Sequence, residues 1–228
     1  MNIENIKNLL ENAINEHRCG NLEAADKIYN DILKIDKYNY DANHLHGTIL
    51  SQKQRYIEAV NYFSIAYEKS TPTCELLNNY AVALRNLRAY SESEKMLKQA
   101  IKIDKNFAIS YINLSNCFLS QKKYDDALAV LKKSIDLNLN VKDSQLGIIN
   151  ILFYYAKVKG EFSEWALPEL KKSLSSFSKS KDKLILSKCA LIYFNIGDVE
   201  KSLELFKLSE KMYSDSVPSI ETMKNMRD

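Results

Sequence analysis

"GNLEAADKIYNDILKID" (Gly20–Asp36) returns, with changed residues and an unchanged pattern, as "QRYIEAVNYFSIAYEKS" from Gln54, "RAYSESEKMLKQAIKID" from Arg88 and "KKYDDALAVLKKSIDLN" from Lys122. The four starts are 34 residues apart. In that register Ala25, Ala59, Ser93 and Ala127 fill one column, Tyr29, Phe63, Leu97 and Leu131 a second, and Ile32, Ala66, Ala100 and Ser134 a third. Small, large and small side chains at offsets of four and three mark one face of a helix. The small positions let a neighbour close in, and the large one fills the space left over.

The residues before each of these helices repeat as well. "DANHLHGTILSQ", "CELLNNYAVALRN" and "AISYINLSNCFLSQ" align so that Gly47, Ala81 and Ser115 share a column and Leu50, Leu84 and Phe118 another. Each unit is therefore two amphipathic helices, A and B, joined by a short polar turn that holds Gly20 in the first unit. One such hairpin cannot bury its apolar face unaided, so successive units must stack.

The pattern resembles the tetratricopeptide repeat, a 34-residue unit with a tiny residue in helix A, a polar or Gly turn, and Ala and an aromatic in helix B. The resemblance implies an all-α, right-handed α–α superhelix with the A helices lining its concave side. Units are expected at about 6–39, 40–73, 74–107 and 108–141. Lys37, Thr71, Lys105 and Leu139 stand where the family closes its unit with Pro, so the helix-ending signal is weak. A degenerate fifth unit (142–182) has a turn at Gly160, Trp165 in place of Ala, and Pro168 inside helix B, where it is expected to kink or delay the helix. A clean sixth (183–216) carries Ala190, Gly197, Ser202, Phe206 and Ser209 in the repeat columns, and 217–228 is expected to form a short polar capping helix. The whole chain, 1–228, then reads as a single array.

Composition narrows the function. The 32 basic and 29 acidic residues leave a net charge of +3, with no concentrated basic region, which argues against nucleic acid. Cys19, Cys74, Cys117 and Cys189 lie far apart, and neither a disulfide framework nor a zinc site is indicated. His44 and His46 face different directions on one helix and His17 lies elsewhere, so no shared metal is expected. Met1–Leu10 lacks the apolar stretch of a secretory signal and no 18-residue apolar run occurs, so a cytoplasmic location without membrane insertion is expected. No phosphate loop, nucleophile elbow or acid pair appears, and neither catalysis nor a cofactor is expected. The basic, Ser-rich "KKSLSSFSKSKDK" from Lys171 reads as a solvated helix end and linker.

If A helices line a groove, their residues outside the core columns carry the chemistry. These are Asn78, Asn79, Val82, Arg85 and Asn86 in the third unit, and Ile112, Asn113, Asn116 and Ser120 in the fourth. Asn79 and Asn113 share a column, so the Asn-Leu-Ser tripeptide at Asn113 is helical and is no glycan acceptor. In the tetratricopeptide region of O-linked N-acetylglucosamine transferases an Asn in this column recurs and holds peptide backbone, because an amide can donate to a carbonyl and accept from an N–H at once. Glu11, Leu45, Ile151 and Lys188 occupy the column in the other units, so a long ladder is not available. The family's carboxylate clamp is not expected, since its columns hold Leu10 and Ile14, or His44 and Thr48, in place of Lys and Asn. His44 is expected to hydrogen-bond in the groove. Expected peptide contacts are Asn78, Asn79, Arg85, Asn113, Asn116, His44 and Thr48.

The first 135 or so residues look like the start of bacterial multi-repeat proteins in which such units precede a glycosyltransferase or sulfotransferase domain, through the turn before helix B and Asp41, Ala42, His44, Leu45 and Gly47. Two readings follow: an adaptor that binds a protein segment, or the substrate-recognition part or partner subunit of a transferase. Self-association is a third possibility.

Overall fold

A computed structural model describes residues 3–159, 174–175, 183–195 and 197–210. Among these the chain forms eleven helices and no strand: α1 (Ile3–Arg18), α2 (Leu22–Ile35), α3 (Tyr40–Gln52), α4 (Tyr56–Lys69), α5 (Cys74–Asn86), α6 (Tyr90–Ile103), α7 (Ala108–Ser120), α8 (Tyr124–Asp136), α9 (Val141–Lys159), α10 (Lys183–Asn195) and α11 (Val199–Glu210). They divide into two compact units, Met1–Gln121 and Lys122–Asp228. In the first, α1 pairs with α2, α3 with α4 and α5 with α6, and each hairpin packs on the next. In the second, α8 packs on α9, α9 on α10, and α10 on α11. This is the all-α repeat fold that the 34-residue pattern predicts. The Gly160 turn, Trp165, Pro168, residues 171–173 and 176–182 of the basic stretch, and the 217–228 cap lie outside the described residues.

The packing columns behave as their residue sizes demand. Ala25, Ala59, Ser93, Ala127, Ile32, Ala66, Ala100 and Ser134 are fully buried, and Tyr29, Phe63, Leu97 and Leu131 are buried beside them. Gly47 shows why the helix A column must be small. A methyl group there would sit 2.9 Å from two ring carbons of Phe63 and 3.3 Å from the Ala59 carbonyl oxygen. Ser93 fits an Ala column because its hydroxyl donates to the Ala81 carbonyl at 2.8 Å, so no polar atom is left bare.

The turns repeat as faithfully as the helices. Gly20, Gln54 and Arg88 all have positive φ, at 83°, 60° and 62°. At Gln54 the amide donates to Ser51 O and the next amide, of Arg55, donates to Leu50 O; the same two bonds recur at Arg88 and Gly20. That pairing satisfies the last carbonyls of helix A and lets the chain reverse. Only the first of the three places uses Gly, so Gln54 and Arg88 accept a left-handed backbone that costs about 1 kcal/mol each.

The missing Pro at the end of each unit is offset in two hairpins by an Asp. Asp36 accepts from the Tyr38 amide at 3.1 Å and from the Asn39 side chain at 3.3 Å, and Asp104 accepts from the Asn106 amide at 2.8 Å. A carboxylate that bonds the amide two residues on turns the chain without Pro. Two A helices start from side-chain caps, α3 with Asn39 accepting from the Ala42 amide and α5 with Thr73 accepting from the Leu76 amide, whereas α7, after Asp104, starts without one.

Candidate functional site

The A helices α3, α5 and α7 lie side by side in the first unit, so polar residues on their facing edges meet. Asn79 on α5 sends its amide nitrogen to two atoms of α3, Thr48 Oγ1 at 3.1 Å and His44 Nε2 at 3.2 Å. The direction of these bonds is settled by Thr48, whose own hydroxyl proton goes to the His44 carbonyl at 2.9 Å. Thr48 Oγ1 must therefore accept from the Asn79 NH2, and His44 Nε2, facing the same NH2, also accepts. That fixes His44 as the neutral tautomer with its proton on Nδ1. Burial lowers the His44 pKa in keeping with this, against the opposing charges of Asp41 and Glu75.

The next seam repeats the arrangement one hairpin on. Asn113 on α7 donates to Asn78 Oδ1 at 3.0 Å. Asn78 itself donates to the Cys74 carbonyl at 2.8 Å and to Ser110 Oγ at 2.9 Å. With 3% of its surface exposed, Asn78 is a buried joint between α5 and α7, which corrects its expected place on the open face. Its side chain is enclosed because Ser110, a residue of helix A in the fourth unit, needs a partner across the seam. His44, at 8% exposure, is also buried. The rule behind both seams is simple: a side chain on one A helix accepts from the residue 35 further on, at the matching edge of the next A helix. In the second unit Lys188 donates to Asn150 Oδ1 at 2.7 Å, and Lys188 stands in the column of Asn79 and Asn113.

These bonds leave a defined set of free groups. Both amide hydrogens of Asn79 are engaged, so it offers only an oxygen, whereas Asn113 keeps one N–H and an oxygen. Arg85, on the last turn of α5, and Asn116, on α7, are half-buried, and among the described residues neither side chain has a hydrogen-bond or ion-pair partner. Sequence reasoning set Asn79 and Asn113 in equivalent places on successive A helices. It did not foresee that the amides there are already joined to each other, and the signal it lacked was the identity of the residue one place earlier on the preceding helix.

The histidines do not converge. His46 points away from the Asn79 seam: it stacks on Tyr62 with ring centroids 4.4 Å apart and lies 3.5 Å from Asp26 Oδ1, while Asp26 Oδ2 pairs with Lys53 at 3.3 Å. Burial lowers the His46 pKa, opposed by Asp26. His17 sits against Tyr29 at the other end of the first hairpins, edge to face, with centroids 6.3 Å apart. Among the described residues no three His, Cys, Asp or Glu side chains group as a metal site would require, and no helix is long and apolar enough to cross a membrane.

Against known proteins, the tetratricopeptide repeat family matches residues 73–103 and 108–141. Those two stretches carry the tetratricopeptide repeat. Over 92 residues the chain is 25% identical to the cell division cycle protein 27 homolog A of Arabidopsis thaliana; that stretch is 40% of this chain and spans 13% of that protein's length. In structure the tetratricopeptide fold is similar to PilW, a widely conserved type IV pilus biogenesis factor, with a TM-score of 0.75 and 19% identity over the whole of both chains. It is also similar to part of an O-GlcNAc transferase of Thermobaculum terrenum, with a TM-score of 0.52 and 18% identity over 57% of this chain and 26% of that one. Stacked repeats of this kind present extended surfaces for protein partners.

Proposed function

We propose that the chain is a cytoplasmic, non-enzymatic adaptor that binds an extended protein segment along the A helices of its first unit. The observation that carries this reading is the row of groups left unused beside the two seams: the Asn79 oxygen, the free N–H and oxygen of Asn113, the Asn116 amide and the Arg85 guanidinium. Acceptors and donors together suit main chain, which offers both at each residue, and Arg85 adds a preference for acidic or polar side chains. His44 and Thr48 orient Asn79 in this scheme and do not touch the ligand, and Asn78 does the same for Asn113. The one continuous array of six units over 1–228 belongs to the same proposal, supported by the repeat at 108–141, which runs through the junction of the two compact units.

The test uses the two side chains that hold nothing else. Peptides selected from a random library displayed on phage are measured against the native chain and against Arg85→Gln/Asn116→Ala. Because neither side chain is bonded among the described residues, the variant is expected to melt like the native chain and to bind the selected peptides more weakly. Equal affinity for both proteins would rule the groove out.

A second reading is that the repeats recognise substrates for a sugar or sulfate transferase, in the same chain or in trans. It is favoured by the likeness to the O-GlcNAc transferase structure and by the residues of the opening stretch, Asp41, Ala42, His44, Leu45 and Gly47. An α/β nucleotide-sugar domain encoded in frame after Asp228 would decide for it.

A further inference from the structure

The seam between α3 and α5 turns on a single proton. In the neutral protein His44 Nε2 and Thr48 Oγ1 both accept from the Asn79 amide nitrogen, at 3.2 and 3.1 Å, while Thr48 sends its own proton to the His44 carbonyl at 2.9 Å. The Asn79 oxygen is then the only part of that amide free to meet a ligand. Adding a proton to the imidazole breaks this arrangement. Nε2 would carry a hydrogen aimed at an NH2 group 3.2 Å away, so two donors would face each other with no acceptor between them.

An amide has a way out that most side chains lack. Its oxygen and nitrogen are nearly equal in size and lie in one plane, so a half-turn about the Cβ–Cγ bond exchanges them without moving α5. The oxygen then stands where the nitrogen stood and accepts from His44 Nε2–H, a charge-assisted bond stronger than the one it replaces. The Thr48 hydroxyl follows by rotating from the His44 carbonyl to the Asn79 oxygen, and the carbonyl keeps its helical partner within α3. The charges acting on the imidazole are Asp41 on its own helix and Glu75 on α5, both exposed and both favouring the charged form. From α2, Asp26 faces His46 instead. The rings of Tyr40 on α3, whose hydroxyl donates to Thr73, and Phe63 on α4 lie beside His44 without charge, at 6.1 and 6.2 Å. Burial outweighs the two carboxylates and lowers the His44 pKa, so the proton enters below the free imidazole value of about 6.5.

We propose that protonation of His44 inverts the Asn79 amide, so that the chain offers an acceptor at this place in neutral solution and a donor in acid. The inversion is a property of the free chain. Its effect on a partner rests on the adaptor reading: a bound segment that meets Asn79 through an N–H at neutral pH has to meet it through a carbonyl in acid. Asn113 has no such switch, because its amide bonds the Asn78 oxygen and not an imidazole. A local protonation that biases an element with two arrangements is how histidine switches work elsewhere.

The full chain, labelled with ¹⁵N, is followed by NMR from pH 7.5 down to its acid unfolding midpoint through three signals: the His44 ring nitrogens, the Asn79 side-chain amide and, as reference, the amide of the exposed Asn12. In neutral solution His44 should carry its proton on Nδ1. As it titrates, exchange of the Asn79 NH2 with water, taken relative to Asn12, should rise roughly fivefold, the factor that one ordinary hydrogen bond confers. A slowly exchanging Nε2 proton should appear with the same midpoint. In His44→Gln the side-chain oxygen can accept from Asn79 without titrating, so the Asn79 signal should stay level throughout. An Asn79 amide that keeps its protection while His44 titrates, an Nε2 proton that exchanges freely, a change at Asn79 that persists in His44→Gln, or unfolding before His44 titrates would each overturn the inversion. The groove is tested apart from it. Phage-selected peptides that depend on Arg85 and Asn116 at pH 7.5 keep the groove whatever the amide does, and peptides indifferent to Arg85→Gln/Asn116→Ala sink the groove while the signals of the free chain still decide the inversion.

Discussion

Leu45 and Asn79 hold the same place in successive A helices, and their surroundings differ in kind. Around Asn79 every amide hydrogen is spent on α3, through Thr48 and the neutral imidazole of His44, and one hairpin further on Asn113 closes onto Asn78 in the same way. Around Leu45, among the described residues, there is no such bond, and what remains is a pocket lined by Ile14, His17, Arg18, Tyr29 and Leu45, with the Tyr29 hydroxyl buried. Both places sit in one repeat geometry. The comparison teaches that the backbone of the repeat sets where the seam lies, while two side chains 35 residues apart decide whether it is sealed by hydrogen bonds or left open. An amide without an acceptor opposite would be a buried liability, so the Leu in the first seam and the Asn in the next are each matched to a partner: Leu10 and Leu45 both pack against the first core cluster, and His44 meets Asn79.

The sharpest way to break the sealed side is at Asn78. Replacement by Ala removes three hydrogen bonds at once and leaves Ser110 and Asn113 facing a hole at 3% exposure. Urea unfolding should show a loss of about 2–3 kcal/mol, because unsatisfied buried groups are charged their full desolvation cost. A loss below about 0.5 kcal/mol, the range of a neutral surface change, would mean that the seam is solvated and carries no stability. Next in size is Gly47, on the helix that the open and the sealed seams share. Gly47→Ala must displace either the Phe63 ring or the Ala59 backbone, and the expected cost is about 1–2 kcal/mol, with α3 pushed away from α4. If the ring swings aside freely the cost vanishes, and the tight contact between α3 and α4 is then no constraint on either seam.

How much of this could be read beforehand follows from what a repeat reveals. Columns such as Ala25, Ala59 and Ala127, or Tyr29 and Phe63, declare themselves because each must satisfy the same packing in every unit, and the fold was legible from them alone. Turn positions were half legible: Gly20 is recognisable, but Gln54 and Arg88 adopt the same left-handed backbone with no local mark of it. The site was legible only as an edge. Asn78 looks from its spacing like a groove residue, and it is buried because of Ser110, 32 residues away on another helix. Tyr29 was equally hidden. As a ring it belongs to the core column, and nothing in the alignment shows that its hydroxyl ends without a partner.

Acid provides a gentler probe of the sealed side. His44 and His46 are both buried, and burial lowers the pKa of each, so the folded chain binds fewer protons than the unfolded one. Stability is then fully present above the free imidazole value of about 6.5 and is lost as the pH falls from there toward the lowered folded values. His44 adds a structural reason: once protonated, its Nε2 is a donor aimed at the Asn79 NH2, and the bond between α3 and α5 cannot persist. Unfolding midpoints measured from pH 7.5 to 5 should decline, and His44→Gln should reduce the decline without removing it, because His46 remains beside Asp26. A flat profile would show that the two imidazoles are as accessible to protons in the fold as out of it.

The smallest effect is expected at Tyr29, and its smallness is the point. Deleting the hydroxyl of a buried Tyr is usually destabilising because a partner is left without its bond, as it would be on the sealed side. Here no partner is lost, the ring keeps its contacts in the first core cluster, and the change removes a desolvated group that gains nothing in the free protein. Tyr29→Phe should therefore alter stability by no more than about 0.5 kcal/mol, leaning toward stabilisation. Loss of more than about 1 kcal/mol would mean that the hydroxyl is bonded to ordered water as firmly as an ordinary intramolecular bond, and the open seam would then be a hydrated part of the fold. A neutral result would show that the ring alone, and not the hydroxyl, holds this core position.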